Sequence, residues 1–521
     1  MKKILKSGVV MACVLAMLAG CGQQDEEATV IELSDEEITV DGNAITEDAT
    51  QAVYVANDIV FYLEGQGFTY GEGTEEDEHS QEEADGHTVV HITQPGTYAV
   101  SGKLSAGQIA IDLGEDAEED PEAVVTLILN GVDINCSVAP GVIFYNVYEC
   151  GDKEVETATK DVDTTKAGAN VLIADGTVNN VNGSYVARIY KSYELNEAGT
   201  EVIDNKKLHK YDAAFYSKMS MNVNGDEEGT GVLNITAENE GLDSELHLTI
   251  NGGNINITSG NDGINTNEDE VSVTTVNGGV LTIHVTGETG EGDGIDSNGW
   301  LVINGGTVIA EACSISGDAG IDSDMGIHIY GGTVLATGNM LDHISESAQN
   351  YAVFRFASGQ KGGNIYTLKN AAGDVVAEVS PENDFTYLIV SSDKLTAGTY
   401  TLWQGNTQLS AAKGDMGGGF PGGMPGFNFE DAETLDPGMV IPEGGQMPQM
   451  PEGAERPEMP ENKEIPKGGQ MPEGKERPQG GRGQGGHGGQ GGMLNPTEIS
   501  TDFEIVDGGN YFNFVTAATV E

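Results

Sequence analysis

Basic residues are scarce. The 521-residue chain sets 24 Lys and Arg against 84 Asp and Glu, a formal net charge of −60. That balance excludes nucleic acid and anionic membrane surfaces as partners, because both need a basic footprint. Cation binding and plain solubility remain, and only the placement of the acids can separate them. Cysteine is scarce as well: of five, three lie beyond residue 21, namely Cys136, Cys150 and Cys313. The odd number excludes a complete disulfide framework, and no CxxC pair suggests zinc. Cys136 and Cys150 could pair in an oxidising exterior or stay as buried thiols. Beyond the first twenty residues, no apolar run is long enough to cross a bilayer.

The opening MKKILKSGVVMACVLAMLAGCG sets Lys2, Lys3 and Lys6 before an apolar run, 8–20, that is too short to span comfortably. The run ends in Leu18-Ala19-Gly20-Cys21, which resembles the lipobox of bacterial lipoproteins. The resemblance implies a signal peptide over 1–21, lipid on Cys21, and a mature protein anchored on the extracellular face of the membrane. An ordinary signal peptide with an incidental cysteine is the alternative.

Residues 240–337 hold four copies of one pattern. LTINGG, TTVNGG, LVINGG and IHIYGG place their first glycines at 252, 278, 305 and 331, so the spacings are 26, 27 and 26 residues. Between them lies a second turn: EGLDS (240–244), DGINT (262–266), DGIDS (293–297) and AGIDS (319–323). Around both turns apolar residues alternate, as in Leu248/Ile250, Leu301/Ile303 and Leu281/Ile283/Val285, the period of a strand. Short strands, glycine turns and a fixed repeat indicate a solenoid; this repeat is too short for a propeller blade and matches one coil. The expected fold is all-β: a right-handed parallel β-helix with a C-terminal antiparallel β capping module.

The segments divide accordingly. An N-terminal part, 22–86, includes the acid-rich EGTEEDEHSQEEADG (72–86), expected to be disordered. The solenoid occupies 87–350, with charged inserts at about 151–168 and 192–210 bulging out as loops. The cap covers 351–413. A Gly/Pro/Met-rich stretch, 414–497, cannot bury a core and reads as a disordered spacer, before a returning strand segment at 498–521.

YDAAFYSKMSMNVNGDEEGTGVLNITAENEGLDSE (211–245), the NGG and DGI repeats and VVTLILNGVDI (124–134) together resemble the bacterial extracellular carbohydrate-binding β-helix proteins. The resemblance covers roughly 87–405. It implies binding of cellulose or acidic pectin, bound calcium, and a fold similar to pectate lyases. Members often carry lysine after the DGI turn; here Asp, Asn or Ser stands there.

Aligned in register, the second turns form columns. Before the glycine stand Glu240, Asp262, Asp293 and Ala319, with Asp318 one place earlier. After the aliphatic residue come Asp243, Asn265, Asp296 and Asp322, and two further on Glu245, Asn267, Asn298 and Asp324. Carboxylates stacked at the strand spacing of about 4.8 Å repel by about 0.9 kcal/mol in water and about 3.5 at an effective dielectric of 20. A bridging cation relieves that, and calcium accepts such oxygens with loose geometry. The candidate ligands are Asp243, Asp262, Asn265, Asp293, Asp296, Asp318, Asp322 and Asp324. The plainer account is that Asp and Asn sit there because turns favour them. Asn251, Asn277 and Asn304 of the NGG turns are expected to form a structural ladder inside the corner.

Catalysis finds less support. No Lys or Arg lies between Met219 and Phe354; Lys218 and Arg355 flank that run. His247, His284 and His328 stand at different places relative to the NGG glycines and form no ladder. No catalytic residue can be assigned. For sugar contact, alternation sends Trp300 outward, where it could stack on a pyranose face or pack beneath an insert; Tyr330 is the second candidate. Trp403 is read as core of the cap. The resulting expectation is a monomeric, lipid-anchored surface protein holding polysaccharide such as plant cell-wall glycan, with calcium. A calcium-dependent lyase and a surface structural or adhesion protein without a sugar ligand are the alternatives.

Overall fold

The structure, a computed structural model, describes residues 28–414 and 499–517. The lipobox with Cys21 and all but the first residue of the 414–497 stretch lie outside the described residues. The described chain is all-β with large mixed sheets; its helical content is one short α-helix, Gln81–Asp85, and one 3-10 segment, Glu115–Glu119.

The repeats pair with one another in parallel. The strands before the NGG turn, His247–Ile250, Val273–Val276, Trp300–Ile303 and Gly326–Ile329, form one ladder. Those after it, Asn254–Ser259, Val280–Val285, Thr307–Glu311 and Thr333–Gly338, form a second. A third, shorter sheet carries the acid-rich turns on Glu240–Ser244, Ile264–Thr266 and Ile295–Ser297, continuing upstream through Ala213–Ser217, Val142–Asn146, Gly107–Asp112 and Thr88–Ile92. Register puts like on like: Leu242 pairs Ile264 and Ile264 pairs Ile295, while Ile255 pairs Leu281 and Leu281 pairs Val308. These columns face inward and are fully buried, each such side chain stabilising the fold by about 1.5–3 kcal/mol.

The corners explain the glycines. The second glycine of each NGG turn has positive φ (93° at Gly253, 82° at Gly279, 80° at Gly306, 81° at Gly332), where a Cβ is disfavoured. The asparagine ladder is real: Asn251 donates to Asn224, Asn277 to Asn251 and Asn304 to Asn277, at 2.8–2.9 Å. It runs along the outside of the corner, however, since Asn251, Asn277 and Asn304 are exposed. With the two glycines taking the inner bend, the amide is left facing solvent.

Three further expectations need correction. The 72–86 stretch is ordered: Arg188 and Tyr190 bind Glu72 (2.8 and 2.6 Å), the Tyr185 hydroxyl donates to Asp77, and Ser80 caps the Gln81–Asp85 helix. Partners distant in sequence hold acids that local composition leaves unpaired. The insert at 192–210 is part of a twisted hairpin, Val186–Leu195 with Val202–Tyr211. The insert at 151–168 lies back on the first ladder: the Thr164 hydroxyl donates to Asn222 (2.8 Å) and touches Thr249 (2.7 Å), and the Lys160 ammonium stands 5.3 Å from the Tyr330 ring centre. Cys136, Cys150 and Cys313 are all free.

After the repeats the pairing turns antiparallel. Phe385–Ser392 runs antiparallel to Thr333–Gly338, the last strand of the second ladder, and also to Tyr351–Gln360. The returning Gly509–Ala517 lies parallel to Tyr351–Gln360. An aromatic core fills this region, with Phe354 stacked on Phe512 at 5.2 Å between ring centres and Phe356 edge-on to Phe385 at 5.4 Å. Glu311 ties it to the repeats by accepting the N–H groups of Glu382 and Asn383 (2.8 and 3.2 Å).

Candidate functional site

The three columns stand side by side on the third sheet. Asp243 pairs with Asn265 and Asn265 with Asp296; the Asp322 N–H donates to Ile295 O at 2.7 Å and carries that column on. The N–H groups of Glu245, Asn267, Asn298 and Asp324 donate in turn to Ser217, Ser244, Thr266 and Ser297. The remaining column is stitched to the backbone. Asp262 accepts the Asp293 N–H (2.6 Å), Asp293 accepts that of Ala319, and Asp318 accepts that of Gly292 (2.8 Å). Asp262, Asp293 and Asp318 thus do the structural work expected of turn residues, each holding the neighbouring coil.

The columns divide into two electrostatic halves. In the upstream half most of the acids are answered from within, although Glu240 Oε2 is left without a donor. Lys210, at the base of the hairpin, reaches across to Asn267 Oδ1 (2.9 Å) and lies 3.4 Å from Asp212. Asn267 donates to both Asp243 oxygens (2.9 and 3.0 Å), and Asn265 donates to Glu240 Oε1 (3.1 Å). Burial pushes Glu240 and Asp243 well above the ordinary carboxylate range, and neighbouring acids push them further. Burial opposes the charge on Lys210, yet Asp212, Glu245, Asp243 and Glu240 outweigh it and hold the ammonium above the usual lysine value.

The downstream half has no such answer. Burial raises Asp296 to about 6, helped by Asp324 and Asp342; it raises Asp322 to about 7, helped by Asp342 and Asp296. Asp293 is raised to about 8, chiefly by burial, although the Ala319 N–H pulls the other way. Asp342 is raised too, by burial first. Four buried acceptor oxygens along the columns and their flank have no hydrogen-bond donor: Glu240 Oε2, Asn261 Oδ1, Asn265 Oδ1 and Asp342 Oδ2. Each such group costs about 1–3 kcal/mol if left unanswered. Their chemistry, two carboxylate and two amide oxygens, fits a hard divalent cation. Among the described residues no three His, Cys, Asp or Glu side chains close on one point as a ready cage; the oxygens are strung along the columns.

A cavity of about 240 Å³ opens at the upstream end, lined by Glu72, Asp77, Tyr185, Arg188, Asp212 and Glu240 among others. Sequence reasoning missed Asp342, whose coil lacks the Gly-Ile turn, and Lys210, which comes from an insert. Replacing Lys210 with Met is expected to destabilise the protein at pH 7.5 by about 2–3 kcal/mol, because the surrounding acids lose their counter-charge. The loss is expected to shrink at pH 5, where Glu240 and Asp243, raised by burial, hold protons. Thermal melts at the two pH values check this; an equal loss at both would mean that Lys210 acts only by packing.

Trp300 and Tyr330 lie on a different ladder. Trp300 is half-buried between Val273 and Gly326 on the neighbouring strands, beyond the Asn298–Gly299 corner from Asp296. The outward row beside it is covered: Thr249, Val302 and His328 are 7%, 5% and 9% exposed. The Tyr330 hydroxyl donates to Glu346 (2.8 Å), and Lys160 occupies one face of its ring. His247 is buried, accepts the Val273 N–H (3.1 Å), and is lowered to about 4 by burial. His284 and His328 face Glu311 and Glu346 (3.5 and 3.4 Å).

The chain is similar to known proteins in three comparisons. A carbohydrate-binding domain-containing protein of Acetivibrio thermocellus is 28% identical over 170 residues, covering 32% of this chain and 44% of that protein, so the matched stretch spans less than half of the relative. A solved structure, the polysaccharide lyase-like protein from C. thermocellum in its gadolinium derivative, aligns at 17% identity and a TM-score of 0.35 over 62% of this chain and 98% of its own. The family model of carbohydrate-binding domain-containing proteins matches residues 85–373, which include every acid of the columns. With more than half of its length matched, the chain belongs to the carbohydrate-binding domain-containing family.

Proposed function

We propose that this protein is a lipid-anchored, cell-surface binder of polysaccharide, built on a right-handed parallel β-helix whose acid-lined third sheet holds calcium. The three in-register parallel ladders support the solenoid reading, and family membership supports carbohydrate as the ligand. The observation that carries the calcium reading is the downstream run of half-buried carboxylates, including the exposed Asp324, that no described lysine or arginine pairs with. Asp296, Asp322, Asp324 and Asp342 would hold the ion, with Asp293 beside them. Calcium supplies positive charge on a face that otherwise repels an acidic glycan. The chain's own residues orient it: the alternating strands point the carboxylates outward in register, and Asp262, Asp293 and Asp318 lock the coils that carry them.

A lyase of the pectate-lyase type has one observation in its favour, the arrival of Lys210 on the columns. Its raised pKa is the wrong direction for a base, because a lysine held protonated by four carboxylates cannot take a proton at neutral pH. Binding without turnover is therefore the better reading.

Retention of polygalacturonate and of cellulose by the full chain, with and without chelator, tests it. Asp296→Asn with Asp322→Asn is expected to leave the melting temperature unchanged or higher, since two half-buried charges are removed, and to weaken calcium-dependent retention about ten-fold. Retention that ignores both chelator and variant would overturn the calcium reading. Ultraviolet-absorbing unsaturated products would establish the lyase instead.

A further inference from the structure

The antiparallel region carries a groove outside the columns. Tyr366–Asn370 and Gly398–Gln404 pair antiparallel, with Thr367 opposite Trp403 and Lys369 opposite Thr401. Leu368, Leu402, Tyr366 and Tyr400 of these strands point into the aromatic core. The alternation therefore turns Thr399, Thr401, Trp403 and Lys369 to the other face. Trp403 is half-buried there rather than part of the core. Its indole N–H donates to Thr401 Oγ1 (2.9 Å), which fixes the ring along the sheet. An opening of about 470 Å³ runs beside it, lined by Lys369, Asn370, Thr399, Thr401, Trp403 and Asp502 among others; small-ligand sites span about 300–1,000 Å³.

Lys369 is marked by the ring it meets rather than by lacking a carboxylate, since among the described residues Lys153, Lys166, Lys191, Lys206, Lys207 and Lys394 form no ion pair either. Lys103, Lys160, Lys210, Lys218 and Lys361 each sit against a carboxylate. In a chain with 84 acids, the Lys369 ammonium instead stands 4.8 Å from the Trp403 ring centre, and no described carboxylate pairs with it. A cation over an exposed ring is held by only about 0.5–1 kcal/mol, so an incoming anion can draw it aside. A fixed aromatic face, an adjacent unpaired ammonium and a threonine hydroxyl form a complementary set for one ligand chemistry: a pyranose ring bearing a carboxylate.

We propose that the Trp403–Lys369 groove is a second sugar site, selective for uronate residues and independent of any divalent cation. Trp403 stacks on the C–H face of the pyranose, Lys369 pairs with its carboxylate, and Thr401, which accepts the indole N–H and keeps its own proton, donates to a sugar oxygen. The Thr399 hydroxyl is already given to Glu504 (2.6 Å). Asp502, the acid that lines the groove, would bias it against stretches of dense negative charge.

The chain has two tryptophans, which makes the test direct. In the full chain carrying Trp300→Phe, Trp403 is the sole indole. Titration with a short oligogalacturonate in excess chelator is expected to change its emission saturably. Lys369→Met is expected to weaken that binding about five-fold, and a neutral cello-oligosaccharide to bind more weakly than the uronate. Trp403→Ala, followed by calorimetry, is expected to remove the chelator-resistant binding, with melting curves confirming that each variant folds. Unchanged emission throughout the titration, or equal affinity in Lys369→Met, would overturn the proposal. Failure of the calcium reading appears separately, as calcium-dependent retention that survives Asp296→Asn with Asp322→Asn.

Discussion

In excess chelator, the protein is expected to lose stability as the pH rises from 5 to 8. Asp296, Asp322 and Asp293 are raised to about 6, 7 and 8 in the folded chain, against about 3.9 for an unfolded aspartate. Between those limits the folded state keeps protons that the unfolded state has released. Stability falls wherever the unfolded state binds fewer protons, at about 1.4 kcal/mol per pH unit for each one. The contribution of these three acids is therefore whole below about pH 4, drains away through the folded values, and falls no further above about pH 8. Undiscounted, the three shifts come to about 8 kcal/mol over this range. Because these acids are only half-buried and screened by solvent, the net loss is expected at about 4 kcal/mol, or about 5 °C for a chain of this size. Aspartates such as Asp35, Asp175 and Asp384 are lowered by hydrogen bonds. They act in the opposite sense, at more acid pH, which is why the comparison starts at 5. Calcium at about one hundred times its Kd is expected to return about 2.7 kcal/mol at pH 8 and little at pH 5. Melting curves across this range, with chelator and with calcium, decide the matter; stability that rises with pH in chelator would refute the column electrostatics.

Gly294→Ala is expected to destabilise the protein by about 3 kcal/mol or more, although it adds a single methyl. A Cβ at Gly294 would lie 2.3 Å from Gly320 O and 3.0 Å from the Ala310 methyl. Gly241 and Gly263 meet the same obstacle two and one repeats back, at 2.5 and 2.6 Å from the carbonyl oxygens of Gly263 and Gly294. The obstruction is backbone, so no rotamer change relieves it. Gly317 offers the control: nothing lies within 4 Å of a Cβ there, and Gly317→Ala is expected to stay within about 0.5 kcal/mol. Denaturant melts of the two variants test the pair, and equal effects would mean that the coils do not pack glycine on glycine.

Much of the site's grammar could be read without coordinates. The 26- and 27-residue spacings assign Asp243, Asn265, Asp296 and Asp322 to one column, because repeats of equal length that pair in parallel do so residue on residue. The Asn251–Asn277–Asn304 ladder followed from the same reasoning, though its position outside the corner did not: which side of a turn faces solvent depends on how the paired glycines bend. Trp300 shows the limit from another direction. Alternation sends it outward, but outward is not the same as exposed: Trp300 is half-buried, on a ladder whose Thr249 and neighbouring Tyr330 meet Thr164 and Lys160 of the 151–168 insert.

The sequence by itself determined the all-β character, the repeat, and the membership of each acid in its column, since period and glycine spacing are properties of neighbouring residues. Only the tertiary structure decided which acids are answered. Lys210 reaches Asn267 across 57 residues, Asp342 joins Asp296 and Asp322 from a coil without the turn motif, and Arg188 orders Glu72 across 116. Charge interacts through space and through the burial around it. The same aspartate is therefore neutralised at one end of a column and left bare at the other, a difference that arises only once the hairpin has folded back over the coils.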